Sequence, residues 1–197
     1  MRLSVVTAPS SEPLTTAEAK LHLRVDVTDD DALIGSLITS ARTYCENFTH
    51  RSLMPQTWDV FYECFPCDVL WLPIPPVSSI TSVKYYDTSG NLTTWDSANY
   101  LTELPAGVFS GPARITPIYN GFFPATRRQM SAVQVRIVCG YTNAAAVPDQ
   151  IKAAMKLLVS HWYNNREAVV MERATPIDVP MAVEALLWPF KVFGATP

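Results

Sequence analysis

Asp31-Ala32-Leu33-Ile34-Gly35-Ser36-Leu37-Ile38-Thr39-Ser40-Ala41-Arg42-Thr43-Tyr44-Cys45-Glu46-Asn47-Phe48 repeats its apolar residues at spacings of one, three and four. Leu33, Ile34, Leu37, Ile38, Ala41, Tyr44, Cys45 and Phe48 therefore fall on one stripe of an α-helix, with Gly35, Ser36, Thr39, Ser40 and Arg42 on its other face. A second stretch has a different period. In Ala132-Val133-Gln134-Val135-Arg136-Ile137-Val138 every second residue is apolar, which is the signature of a strand with one buried face. Helical and strand periods in separate regions of one chain make it α+β.

Working outward from the helix, Thr15-Thr16-Ala17-Glu18 is a capping box, so a short helix is expected over Thr16 to Leu23. Asp29-Asp30-Asp31 is expected to open the long helix, which ends near Asn47–His50. From about Pro55 the chain turns strand-like. Thr57-Trp58-Asp59-Val60-Phe61-Tyr62 is β-branched and aromatic, and Ser82–Tyr86 and Leu92–Trp95 flank a turn with Gly90. After Tyr141 the helical period returns. Asp149 complements the dipole of a helix whose stripe is Ile151, Ala154, Met155, Leu158, Val159 and Trp162, running to about Asn165. Residues 168–179 read as a loop, and Pro180 to Trp188 as a last short helix that Pro189 bends or ends. The expected architecture is a small helical bundle core with an inserted antiparallel β subdomain. Residues 1–54 supply its N-terminal helices, 55–141 the insertion, and 142–197 the closing helices.

Composition narrows the function. The 197 residues are 48% hydrophobic and 17% charged, a globular balance, and no apolar run approaches the roughly 20 residues that span a bilayer. The N-terminus does not resemble a signal peptide, so the chain is expected to stay in the cytosol where it is made. A net charge of −3 gives no general attraction to phosphate backbones, and the densest basic cluster, Arg127-Arg128, reads as a solvated turn. Four cysteines are too few for a disulfide scaffold.

Chemistry-bearing motifs are sparse. Cys64-Phe65-Pro66-Cys67 has the spacing of a redox dithiol or half a zinc site. It lacks the helix that would activate a thiol and a second ligand pair that would complete a metal site. Asp29-Asp30-Asp31 reads as helix capping rather than a metal cluster, and His161 lacks a His-Glu-x-x-His frame. No Gly-x-Ser-x-Gly elbow or glycine-rich phosphate loop occurs. Trp71, Tyr85, Tyr86, Trp95, Tyr119, Phe122 and Phe123 fit core and subunit contacts better than sugar or base platforms. No catalytic, cofactor or metal role is assigned to any residue. The C-terminal stretch at about 180–197 stands out instead. Leu186, Leu187, Trp188, Phe190, Val192 and Phe193 accompany Lys191 as its only basic residue, which suggests a docking arm with aromatic anchors. The alternative is that the arm packs on its own helices.

Four segments in order carry a family resemblance: Glu12–Val25 with Asp30–Ile34, then Val77–Asp87, then Val135–Tyr141, and last Val147–Lys152 continuing through His161–Glu167 to Leu186. The set resembles the head–tail connector (adaptor) proteins of long-tailed phages, prophages and phage-derived gene transfer agents, over nearly the whole chain. The resemblance implies a ring of twelve subunits beneath the portal protein, joined below by a stopper or tail-completion protein. Such a ring continues the channel through which DNA passes without specific binding, and its setting is the neck of the particle after assembly from the host cytoplasm. It implies no catalytic residues. Cys64 and Cys67 belong to none of the matching segments. Two other readings stay open: a thiol redox or zinc-binding module built on Cys64 and Cys67, and a neck or tail-completion protein of a different layer.

Overall fold

The Thr15 hydroxyl accepts the Glu18 N–H at 3.2 Å, and the Glu18 carboxylate accepts the Thr15 N–H at 2.8 Å. This closed capping box starts α1 (Thr16–Leu23), which ends where Arg24 takes a left-handed conformation. The computed structural model describes residues 1–165 and 181–193. Within them α1 is followed by α2 (Asp31–Thr49), α3 (Asp149–Asn164) and α4 (Met181–Leu187). These helices form one compact unit, drawn from residues 11–49 and 143–191. α3 is its centre and packs against each of the other three. Ile34, Ile38, Ala41 and Cys45 of α2 are buried, as are Ile151, Ala154, Met155, Leu158 and Val159 of α3. Both stripes are the ones their sequence periods draw.

The aspartate triplet does more than open α2, and the Ile34 N–H donates to the Asp30 carbonyl at 2.8 Å. α2 begins at Asp31, the last of the three. Asp31 pairs with Lys20 at 2.7 Å, and Asp30 accepts the Tyr163 hydroxyl. Two of the carboxylates thus tie α2 to α1 and α3, contacts that a local reading of helix starts has no means to see.

The second unit holds the sheets and comprises residues 1–10, 50–142 and the described residues from 192 onward. Its strands are β1 (Arg2–Thr7), β2 (Gln56–Tyr62), β3 (Leu70–Leu72), β4 (Val77–Tyr86), β5 (Leu92–Trp95), β6 (Tyr100–Glu103), β7 (Ala113–Pro117) and β8 (Val133–Cys139). One sheet has the order β1-β2-β8-β4-β5 and the other β3-β7-β6, with antiparallel pairing throughout. Residues 1–10 and 50–54, which the sequence groups with the first helices, cluster with these sheets. β1 leaves no clear local signal: Val5 and Val6 break the alternation, and its partner β2 lies some fifty residues away.

β8 sits between β2 and β4, so its inward residues Val133, Val135, Ile137 and Cys139 are covered on both sides and fully buried. On the other face, Arg136 makes two 2.8 Å bonds to the Asp59 carboxylate, and Gln134 adds a third at 2.8 Å. The Arg136 bonds, aided by Gln134, hold the Asp59 carboxyl below its usual range against the opposing effect of burial. A depressed carboxyl stabilises the fold fully above the unfolded value near 4, and that contribution is lost as pH falls toward the folded value. Asp59→Asn should therefore cost about 1–2 kcal/mol at pH 7, trimmed by the partial exposure of Arg136. The gap between variant and parent should narrow in urea unfolding curves at pH 3.

β8 ends in a turn that only glycine can make. Gly140 has φ +108°, and a Cβ built there would lie 2.1 Å from the Met54 carbonyl oxygen and 2.9 Å from the Pro55 nitrogen. Its N–H donates to the Pro76 carbonyl at 2.8 Å.

Candidate partner interface at the C-terminal segment

Val183, Leu187 and Phe190 recur at helical spacings of four and three, and all three are buried. α4 packs on α3 and touches α2. α4 ends at Leu187, just before Pro189, as the sequence predicts, and Trp188–Phe190 follows it as a single 3₁₀ turn. The Lys191 N–H then donates to the Trp188 carbonyl at 3.1 Å. The Lys191 ammonium lies 5.0 Å from the Phe48 ring centre and 5.4 Å from that of Trp188. Phe48 in turn stacks on Tyr44, whose edge meets Trp162. Burial, then the nearby Glu184 carboxylate, push the Tyr44 phenol up.

The six residues expected to form the docking arm therefore divide. Leu187, Phe190 and Val192 are buried, and Leu186 is half-buried. Trp188 is 57% exposed and Phe193 65% exposed. The loop expected at 168–179 lies outside the described residues.

The cysteine pair lies between β2 and β3. Cys64 and Cys67 are both exposed, while Phe65 between them turns inward. Phe65 stacks on Phe123 at 5.0 Å and meets Trp95 and Tyr85 at 5.5 and 5.8 Å. The loop's position follows from an aromatic anchor, and among the described residues no group of three His, Cys, Asp or Glu gathers closely enough to hold a metal ion. Burial pushes the Cys45 thiol up to about 12, and Cys139 is buried with its sulfur 3.1 Å from the Ser52 hydroxyl. Ellman's reagent should accordingly titrate two thiols in the native protein and all four in denaturant. Release of more than two without unfolding would contradict this burial.

Of the aromatics singled out by sequence, Trp95 is buried, and Tyr85 and Phe123 pack around it and Phe65. Trp71, Tyr119 and Phe122 stay exposed. The Trp71 ring lies under the Arg114 guanidinium, which also pairs with Glu103 across β3, β7 and β6.

Residues 14–95, running from the approach to α1 through the end of β5, match the family model of the phage gp6-like head–tail connector protein. That match covers less than half of the chain and makes this part of it similar to head–tail connector proteins. Among curated proteins none matches the chain. Nine chains of solved structures do. One comes from the neck of an empty gene transfer agent particle computed with C6 symmetry, with 23% identity and a TM-score of 0.79. Others come from the virion of a native gene transfer agent particle, at 22% identity and TM-score 0.79, and from the neck of a native particle computed with C12 symmetry, at 22% and 0.77. Each pairing covers 98% of this chain and 97% of the other. At such identity the likeness shows the fold, and it spans helices and sheets of this chain alike. The family match stops short of α3 and α4, so the C-terminal segment rests on geometry alone.

Proposed function

We propose that the chain is a structural subunit of the neck of a phage or phage-like particle, joining the DNA-filled head to the tail. The observation that carries this reading is the family match over α1 to β5 combined with end-to-end likeness to chains of gene transfer agent necks and virions. Twelve copies would close a ring of about 260 kDa beneath the portal, with heterologous contacts between neighbours. A stopper or tail-completion protein would meet its far side. A net charge of −3 suits a wall past which DNA slides rather than one that grips phosphates. The work is mechanical, and no catalytic step is assigned to it. Trp188 and Phe193, the exposed members of the C-terminal set, are the residues proposed to meet the portal.

A cryo-electron reconstruction of particles carrying a labelled chain tests the reading. The expected density is a symmetric ring between portal and tail. A single copy, or copies outside the neck, would overturn it, and a ring in a layer that does not touch the portal would instead favour the tail-completion reading.

A further inference from the structure

β1 is the edge strand of the five-stranded sheet, and all six of its residues are exposed. Its register sets Leu3 opposite Val60 and Val5 opposite Trp58. Directly opposed side chains share a face of the sheet. Val60 is buried and Trp58 packs on the core cluster, so Leu3 and Val5 lie on the face that the neighbouring strand buries. They nevertheless stay 38% and 49% exposed. Trp58, opposite Val5, also buries its indole N–H without a hydrogen-bond partner among the described residues. The inward face thus runs out of cover one strand too early.

The far edge of the same sheet is also open. β5 pairs only with β4 among the described strands, and its Leu92 is 50% exposed. The two edges differ in charge. Arg2 marks β1, whereas Asp87 and Asp96 flank β5. Open apolar strand edges are pairing templates that monomeric proteins usually blunt with charge, proline or bulges. A contact between two unlike edges is heterologous, the kind that closes into a ring.

We propose that β1 of one copy pairs with β5 of the next, so that a second copy of this chain covers Leu3 and Val5 and the sheets of neighbours join. This rests on the ring reading above and assigns its subunit contact. Arg2 of β1 would then meet one of the aspartates that stand at the two ends of β5, Asp87 or Asp96 according to the direction of the pairing.

The test places the photo-crosslinking residue p-benzoylphenylalanine at Val5 and, in a second variant, at Leu92, in particles assembled with full-length chain. Irradiation is expected to shift the 21.9 kDa band to a ladder of its multiples. Peptide mapping should join position 5 of one copy to residues 92–96 of another, and position 92 to residues 2–7. Crosslinks to any other protein, to another surface of this chain, or none at all would overturn the pairing. The position of the chain in a reconstruction of the same particles keeps the two readings apart. A symmetric ring at the neck with the wrong crosslinks sinks only the strand pairing, whereas a chain outside the neck sinks the connector reading.

Discussion

Gly140→Ala is expected to leave little or no folded protein. The added methyl would stand 2.1 Å from a carbonyl oxygen and 2.4 Å from its carbon, both in the Met54 backbone, with no flexible side chain to yield. The residue also sits at φ +108°, a conformation that costs a non-glycine residue about 1–3 kcal/mol before any clash. Relief would need the Gly140 N–H to leave the Pro76 carbonyl, or residues 54–55 to move away from the first pairs of β2 and β8. The total should exceed about 4 kcal/mol, a large part of the 5–15 kcal/mol that stabilises a typical domain. Gly35→Ala is the control: none of the described residues lies within 4 Å of its added carbon, and α2 should gain about 0.5–1 kcal/mol. Soluble yield and urea midpoints of the two variants should move in opposite directions. A folded Gly140→Ala protein of parental stability would refute the geometry of this turn.

Phe190→Ala is expected to be nearly as damaging, while Trp188→Ala, two residues away, should scarcely affect folding. Phe190 is 2% exposed, and emptying such a site costs about 3–5 kcal/mol. Trp188 is 57% exposed, so its truncation should cost about 1 kcal/mol or less. Under the proposed portal contact, the order reverses for assembly. The Trp188→Ala, Phe193→Ala double variant should stay folded yet attach to portal-bearing heads at least tenfold more weakly, because exposed aromatics dominate interface energies. Calorimetry reads the first effect and sedimentation of heads with labelled protein the second. Attachment at parental strength would place the portal contact elsewhere. Truncation after Val179 removes Val183, Leu187 and Phe190 together, so it should destabilise the helical unit rather than detach a free arm.

That contrast also marks how far the sequence could be read. The stripes of α2 and α3, the Thr15–Glu18 box and the alternation of β8 are local patterns, and each stands in the structure as its period predicts. The C-terminal set was legible as apolar but not as two populations. Its dividing signal was present: Val183, Leu187 and Phe190 keep the spacing of a buried helical stripe, and Trp188 falls outside it. β1 is a different case. Its place is fixed by pairing with Thr57–Phe61, and nothing within Arg2–Thr7 announces that partner. The three-stranded sheet was equally hidden, since β3, β6 and β7 are three to five residues long and too short for a period to show. The open edges that suggest a neighbour were therefore beyond sequence reading altogether.

The helical unit is assembled from residues 11–49 and 143–191, with the sheets between them in the chain. During synthesis every strand has emerged once residue 142 clears the ribosome, whereas the apolar stripe of α2 still waits for α3. At about 5–20 residues per second, the roughly one hundred residues between α2 and α3 take about 5–20 s to appear. Ile34, Ile38 and Cys45 spend that interval without their native cover. The order of emergence thus makes the sheets the first unit able to close and the helices the last, leaving the nascent α2 face as a natural chaperone substrate.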